Sequence, residues 1–141
     1  MKVQRLDHVN IRTERLAETL TFYTDVLGMI CKPPPGGRDT SRGAWIYDSQ
    51  DAPVIHVGGF GAAYPGDGTL TTGQNPANGG GAIHHVALEC TGYDELLARL
   101  SAADLPIAVS EVPMIALRQV FVQDPNGVTL ELNFRGPAHL T

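Results

Sequence analysis

The sequence consists of two similar halves, and this internal repeat constrains the fold more than any other feature. Each half opens with a strand-like segment that carries a histidine, and the two histidines, His8 and His85, are 77 positions apart. The same offset aligns Leu20 with Leu97 in the helix-like segments that follow. Because strands and helices repeat together, we expect a duplicated scaffold and not one chance similarity.

The order of elements is the same in both halves. In the first half, Thr13 can cap a helix with apolar residues at helical spacing, and Gly28 ends it. In the second, a helix over about 93–103 ends before Pro106. Three short β-like segments follow each helix, at about 29–32, 43–48 and 54–58, and at about 107–112, 118–123 and 129–134.

Each half therefore predicts a β-α-β-β-β module in an α+β fold. We expect a single domain over 1–141, with module one at about 3–58 and module two at about 83–135. The stretch between them, about 58–82, holds nine glycines and two prolines. These residues disfavour helices and strands, so this stretch is predicted to be a long loop.

Four side chains capable of acid–base chemistry or metal ligation lie at matched places in the repeat. They are His8 and His56 in the first half, and His85 and Glu131 in the second, 48 and 46 positions apart within each pair. Strand alternation directs each of them away from the apolar residues of its own strand. A polar group at the same place in both halves indicates one functional site.

Composition excludes several other classes of protein. The formal net charge is −5 and the sequence pI is about 5.4, with no Lys/Arg cluster, which argues against nucleic-acid binding. No apolar run reaches the ~18–20 residues of a membrane helix, and the N-terminus lacks a signal-peptide core. Cys31 and Cys90 show no metal-binding spacing and indicate reduced thiols in a cytoplasmic protein.

Several motifs resemble those of the vicinal oxygen chelate superfamily, which includes glyoxalase I, bleomycin-resistance proteins and extradiol dioxygenases. The resemblance covers about residues 3–135. It rests on the following segments: Leu6-Asp7-His8-Val9, Phe22-Tyr23-x-x-Val26-Leu27-Gly28-Met29, His84-His85-Val86-Ala87-Leu88 and Asp124-Pro125-Asn126-Gly127-x-x-x-Glu131-Leu132.

The resemblance implies that the two modules form a half-open barrel around a divalent metal. The positions that match the family's ligands are His8, His56, His85 and Glu131. Nickel, zinc, cobalt, manganese or Fe(II) would suit such a set. The resemblance also implies a homodimer in which His8 and His56 of one chain meet His85 and Glu131 of the other. The composition predicts that neither nucleic acid nor a membrane is a partner.

Three functions are compatible with this resemblance. The first is a glyoxalase-like isomerase or lyase, in which a divalent metal binds two neighbouring oxygens of a small molecule and Glu131 accepts a proton from carbon. The second is a ring-cleaving dioxygenase acting on a catechol with Fe(II) or Mn(II). The third is a non-catalytic small-molecule binder of the drug-resistance type, against which the full set of ligand residues argues.

His56 distinguishes the two enzyme classes. Glyoxalase I commonly has a carboxylate at the equivalent position. With His56 as a fourth ligand, the site resembles a glyoxalase, whereas His8, His85 and Glu131 alone form a two-His, one-carboxylate triad suited to non-haem iron. In that second case His56 acts as an acid or base. The candidates for lining an aromatic substrate pocket are Trp45, Tyr47 and Phe121. The candidates for binding an anionic group of the substrate are Arg12, Arg38 and Arg118.

Overall fold

The computed structural model describes residues 1, 4, 6, 8–59 and 85–136. The chain divides into two compact units, Met1–Pro76 and Ala77–Thr141. The predicted Gly-rich loop lies outside the described residues, apart from its first two positions. None of the helices in the described part of the chain combines the length and apolar character needed to span a bilayer.

The first unit contains a four-stranded mixed sheet with one helical segment. Its elements are β1 (Val9–Thr13), α1 (Leu16–Thr21) continued by a π-helical segment (Phe22–Val26), β2 (Ile30–Lys32), β3 (Gly43–Tyr47) and β4 (Pro53–Gly59). The strand order is β1-β4-β3-β2, with β1 and β4 parallel and the other pairs antiparallel.

The second unit repeats this plan. Its elements are β5 (Val86–Cys90), α2 (Tyr93–Ala102), β6 (Ile107–Val112), a 3₁₀ turn (Pro113–Ile115), β7 (Leu117–Gln123) and β8 (Thr129–Arg135). The strand order is β5-β8-β7-β6, with β5 and β8 parallel. Both sheets are open, since the first and last strand of each order have one neighbour only. The prediction of two βαβββ modules is confirmed.

The 77-position offset holds at the level of individual strands. The strand β1 begins at Val9 and β5 at Val86, so His8 and His85 each immediately precede the first strand of their unit. The strands β3, β4, β7 and β8 all begin or end within a residue or two of the predicted bounds. The repeat in sequence is therefore a repeat in structure.

The start of the first helix differs from the prediction. Thr13 is the last residue of β1, and the helix α1 begins only at Leu16, with no side-chain cap. The Thr13 Oγ1 atom instead accepts a hydrogen bond from the backbone N–H of Arg15 at 2.8 Å, which turns the chain from strand to helix. The end is as predicted, because Gly28 has a φ of 70°, where glycine is unstrained.

Each sheet has one apolar face and one more polar face. In the second unit Val120, Leu130 and Leu132 are almost fully buried. The same face carries Phe134, whose ring meets Tyr93 of α2 edge to face. In the first unit Ile55 and Val57 are buried on the equivalent face. Strand alternation then places His56 and Glu131 each on the more polar face of its own sheet, as predicted.

Candidate functional site

In both units the strand register brings the predicted site residues to one edge of the sheet. His56 is the cross-strand partner of Asn10, which lies two residues after His8. Glu131 is the cross-strand partner of Ala87, which lies two residues after His85. These pairings occupy the same place in the two units, because the 77-position offset carries residue 10 to residue 87. His56 and Glu131 are therefore structurally equivalent, as the sequence predicted.

In the first unit the site residues form a ring stack, which consists of His8, His56 and Trp45. The His8 and His56 rings have centroids 3.8 Å apart and an interplanar angle of 17°. Trp45 covers the other side, with centroids 4.1 Å apart and an angle of 3°. Trp45 is the cross-strand partner of His56 on β3, so the stack follows directly from the register. It holds the His56 ring between two flat surfaces.

A cavity of about 520 Å³ lies on the same face of the first unit. His56 and Trp45 form part of its wall, together with Gly43 and Gly58, which face each other across β3 and β4. The loop between β2 and β3 supplies much of the remaining lining, including the two arginines Arg38 and Arg42 and the carboxylate of Asp39. Arg38 was among the predicted candidates for an anionic group, whereas sequence reasoning missed Arg42.

In the second unit the two site residues meet directly. The His85 Nε2 atom lies 3.2 Å from the Glu131 Oε2 atom, and the side chains keep 36% and 14% of their exposure. The other oxygen of the carboxylate, Oε1, accepts hydrogen bonds from Gln119 Nε2 at 2.7 Å and from Asn133 Nδ2 at 2.9 Å. The Phe121 ring lies at the edge of His85, with centroids 6.4 Å apart.

Sequence reasoning did not assign a role to Gln119 or Asn133. The available signal was strand alternation, since residues two apart on one strand share a face. Alternation alone places Asn133 beside Glu131. It does not place Gln119 there, because that requires the β7–β8 register, in which Gln119 is paired with Asn133.

Arg118 is excluded from the site by its position. It is paired with Phe134, which belongs to the apolar face of the sheet. Its guanidinium carbon lies 3.9 Å from the centroid of the Tyr93 ring, an arrangement typical of a cation–π contact. The prediction that Arg118 is a candidate for binding a substrate anion at the site is therefore wrong.

The donor atoms of the second unit fit a divalent metal ion. Zinc-like ions hold nitrogen and oxygen ligands at about 2.0–2.2 Å, so two neighbouring ligand atoms lie roughly 3 Å apart. The separation of His85 Nε2 and Glu131 Oε2 has this value. A Glu carboxylate and an imidazole are also ligand types that suit zinc, manganese and iron.

The ring stack of the first unit does not offer two nitrogens to one ion. An imidazole binds a metal in the plane of its ring, and the planes of His8 and His56, tilted by only 17°, meet far beyond bonding distance. The described residues contain no group of three or more His, Cys, Asp or Glu side chains placed around a common point. That all four predicted residues bind one metal stays a prediction.

Comparison with known proteins agrees with this fold. Residues 5–132 match the sequence model of the Glyoxalase/Bleomycin resistance protein/Dioxygenase superfamily. No curated protein matches the sequence.

Several solved structures share the fold at low sequence identity. An integron cassette protein from the mobile metagenome of V. cholerae has a TM-score of 0.69 and 16% identity, covering 96% of this chain and 98% of its own. A lactoylglutathione lyase from Agrobacterium tumefaciens has a TM-score of 0.65 and 15% identity, covering 94% of this chain and 95% of its own. A glyoxylase/bleomycin resistance protein/dioxygenase domain from Frankia sp. EAN1pec has a TM-score of 0.67 and 18% identity, covering 98% of this chain and 96% of its own.

Proposed function

Because the chain belongs to the Glyoxalase/Bleomycin resistance protein/Dioxygenase superfamily, we propose that it is a divalent-metal-dependent enzyme that acts on a small molecule with two neighbouring oxygens. The reaction class that we favour is a glyoxalase-like isomerisation or lyase reaction. One observation carries the proposal: His85 Nε2 and Glu131 Oε2 lie 3.2 Å apart, which is the spacing of two ligands on one divalent ion.

His85 and Glu131 would hold the metal. When bound, the metal supplies positive charge that stabilises negative charge developing on the substrate oxygens. The chain itself supplies a carboxylate oxygen, Glu131 Oε2, on the side facing His85, and this atom can accept a proton. The sequence predicts His8 and His56 as further ligands, and the face-to-face stack lets only one of the two bind a given ion unless a ring turns. Nickel, zinc, cobalt, manganese and Fe(II) are the candidate ions.

The cavity of the first unit supports a small-molecule substrate. Its volume of about 520 Å³ lies within the range of roughly 300–1,000 Å³ that is usual for such sites. The Trp45 ring, which is part of the lining, suits a planar or apolar part of the substrate. Arg38 and Arg42 carry positive charge in the lining, of which Asp39 offsets one unit, and so favour a substrate with an anionic group.

A second candidate function, ring-cleaving oxygenation of a catechol, is favoured by the ring stack. His56 lies face to face with His8, so it cannot share an ion with His8 in this arrangement. It can nevertheless stack on a metal-bound His8 and transfer protons, since imidazole is the side chain that most often does so near neutral pH. His8, His85 and Glu131 would then form the two-His, one-carboxylate set that suits Fe(II).

Metal analysis followed by assay tests both candidates. The protein is purified without added metal, and its metal content is measured. It is then stripped with a chelator and reloaded with each ion. Hemithioacetals are assayed for isomerisation and catechols for oxygen uptake. Bound iron with oxygen uptake would support the oxygenase, and nickel, zinc or cobalt with isomerisation would support the lyase. Full activity after exhaustive chelation would refute both.

We also propose that the chain forms a homodimer. The open sheets have edge strands, and soluble proteins cover or pair such edges. In the proposed dimer, His8 and His56 of one chain serve the same site as His85 and Glu131 of the other. Sedimentation at micromolar concentration should give the mass of a dimer, and a monomer with full metal content would contradict this.

A further inference from the structure

The two oxygens of the Glu131 carboxylate have different surroundings. Oε1 accepts two hydrogen bonds, from Gln119 Nε2 at 2.7 Å and from Asn133 Nδ2 at 2.9 Å. Oε2 instead faces His85 Nε2 at 3.2 Å. The carboxylate is therefore held by one oxygen and presents the other, and the residues that hold it are two neutral amides, here called the amide pair (Gln119 and Asn133).

The orientation of both amides is determined by the network itself. Gln119 Nε2 also donates to Asn133 Oδ1 at 3.1 Å, so both of its hydrogens are used. Rotating either amide by 180° would bring a carbonyl oxygen against the carboxylate, which has no hydrogen to donate when ionised. The arrangement of donors and acceptors is thus self-consistent, with Glu131 as the acceptor.

The amide pair rests on rigid elements. Gln119 and Asn133 are cross-strand partners on β7 and β8, and Glu131 lies two residues before Asn133 on the same face. Neighbouring paired strands hold such side chains more accurately than loops do. All three side chains are partly buried, so the hydrogen bonds are partly shielded from competition with water.

We propose that Gln119 and Asn133 are positioning residues that make Glu131 a metal ligand through Oε2 alone. This inference rests on the proposed metal-dependent function. A carboxylate can bind a metal through one oxygen or through both, and the two hydrogen bonds occupy Oε1. Binding through both oxygens, or swinging of Glu131 away from the metal, would require these two hydrogen bonds to break. Glu131 is therefore held by Oε1, and only Oε2 is left both to bind the metal and to accept a proton.

Titration with Co²⁺ alone tests the proposal without any turnover assay. Cobalt(II) is a suitable probe because its visible absorption becomes weaker as its coordination number rises. The variants are Gln119→Met, which keeps the length of the side chain but removes the donor, and Asn133→Ala. The matched control is Gln123→Met, since Gln123 lies on the same face of β7 and its side-chain hydrogen bond goes to Thr129 Oγ1 at 3.5 Å.

We expect each of the two amide variants to bind Co²⁺ about 10-fold more weakly than the unmodified protein, as is usual when a group that orients a ligand is lost. The absorption per bound Co²⁺ should also decrease, because Glu131 then becomes free to bind through both oxygens. Gln123→Met should match the unmodified protein in both respects.

The outcomes separate this inference from the proposed function. If the unmodified protein binds no Co²⁺, both fail. If it binds Co²⁺ and the two amide variants show the same affinity and the same absorption, only the role of the amide pair is overturned. A purely structural role would lower the metal-free unfolding temperature and leave the absorption per bound Co²⁺ unchanged, which also overturns it. Because the two variants remove different donors, one well-folded variant is enough for the decision.

Discussion

The two units place different side chains at equivalent positions of the same backbone. Each site residue has an aromatic cross-strand neighbour, Trp45 for His56 and Phe121 for Glu131. Two residues further along the same strand pair, and on the same face, the first unit has Gly43 opposite Gly58, whereas the second has Gln119 opposite Asn133. The units thus differ at the next cross-strand pair on the same face as the site residue.

This difference explains what each unit contributes. Gly43 and Gly58 have no side chains, so the space above them is open and they line the cavity of about 520 Å³. In the second unit Gln119 and Asn133 fill that place and hydrogen-bond to the carboxylate. One sheet thus leaves open space beside its site residue, and the other holds a carboxylate with two amide donors.

The largest effect is expected from Glu131→Gln. The neutral amide binds a divalent ion far more weakly than a carboxylate does and cannot accept a proton, so turnover should fall by at least about 10⁴-fold. Turnover and bound metal are measured together. Glu89→Gln is the matched control, because the Glu89 carboxylate is exposed on β5 of the same unit and lies near Arg135. Substantial activity of Glu131→Gln would contradict the proposed role of Glu131 as metal ligand and proton acceptor.

The equivalent change in the first unit, His56→Ala, should have a smaller and different effect. Since the His56 ring is stacked and does not face a shared ion with His8, we expect the metal to stay bound while turnover falls by roughly 10²–10⁴-fold. His8→Ala should instead weaken metal binding. If excess metal restored the turnover of His56→Ala, His56 would be a ligand after all, and the two units would be chemically alike.

The glycines of the first unit can be tested through stability. A Cβ atom on Gly43 would lie 2.7 Å from the backbone oxygen of Val57 and 3.4 Å from Cα of Gly58. Gly43→Ala should therefore lower the free energy of unfolding by about 1–3 kcal/mol, as for other overpacked sites. At Gly59 the nearest atom would be 3.6 Å away, so Gly59→Ala is the control. Equal urea midpoints for the two variants would show that the strands separate easily.

The smallest expected effect is on the rate of thiol labelling. The two cysteines, one in each unit, are both free. Burial raises the pKa of the Cys90 thiol to about 11, and burial also raises the pKa of Cys31. A raised pKa means less thiolate at a given pH, so iodoacetamide should label both thiols more slowly at pH 8 than in urea. Labelling of Cys90 should accelerate as the pH rises towards 11. Single Cys→Ser variants separate the two rates, and labelling at pH 8 as fast as in urea would contradict the burial of Cys90.

The sequence by itself determined the repeat and the faces of the strands. The spacing between His8 and His85 predicted two β-α-β-β-β modules, and β1 and β5 begin at equivalent residues. Alternation of apolar and polar residues placed His56 and Glu131 on the face away from the core. These features depend on neighbours within one strand or one helix turn, which a linear pattern records.

Only the tertiary structure decided which side chains meet across strands. The stack of His56 on Trp45 and the hydrogen bond from Gln119 to Glu131 join residues 11 and 12 positions apart, on different strands. The position of Arg118 under Tyr93 likewise depends on the packing of a helix on the sheet. Periodicity gives the face of each residue but not the register between strands, and a shift of one residue would exchange all of these partners. Register is determined by the packing of the whole unit, and for that reason the surroundings of His56 and Glu131 became visible only in the folded chain.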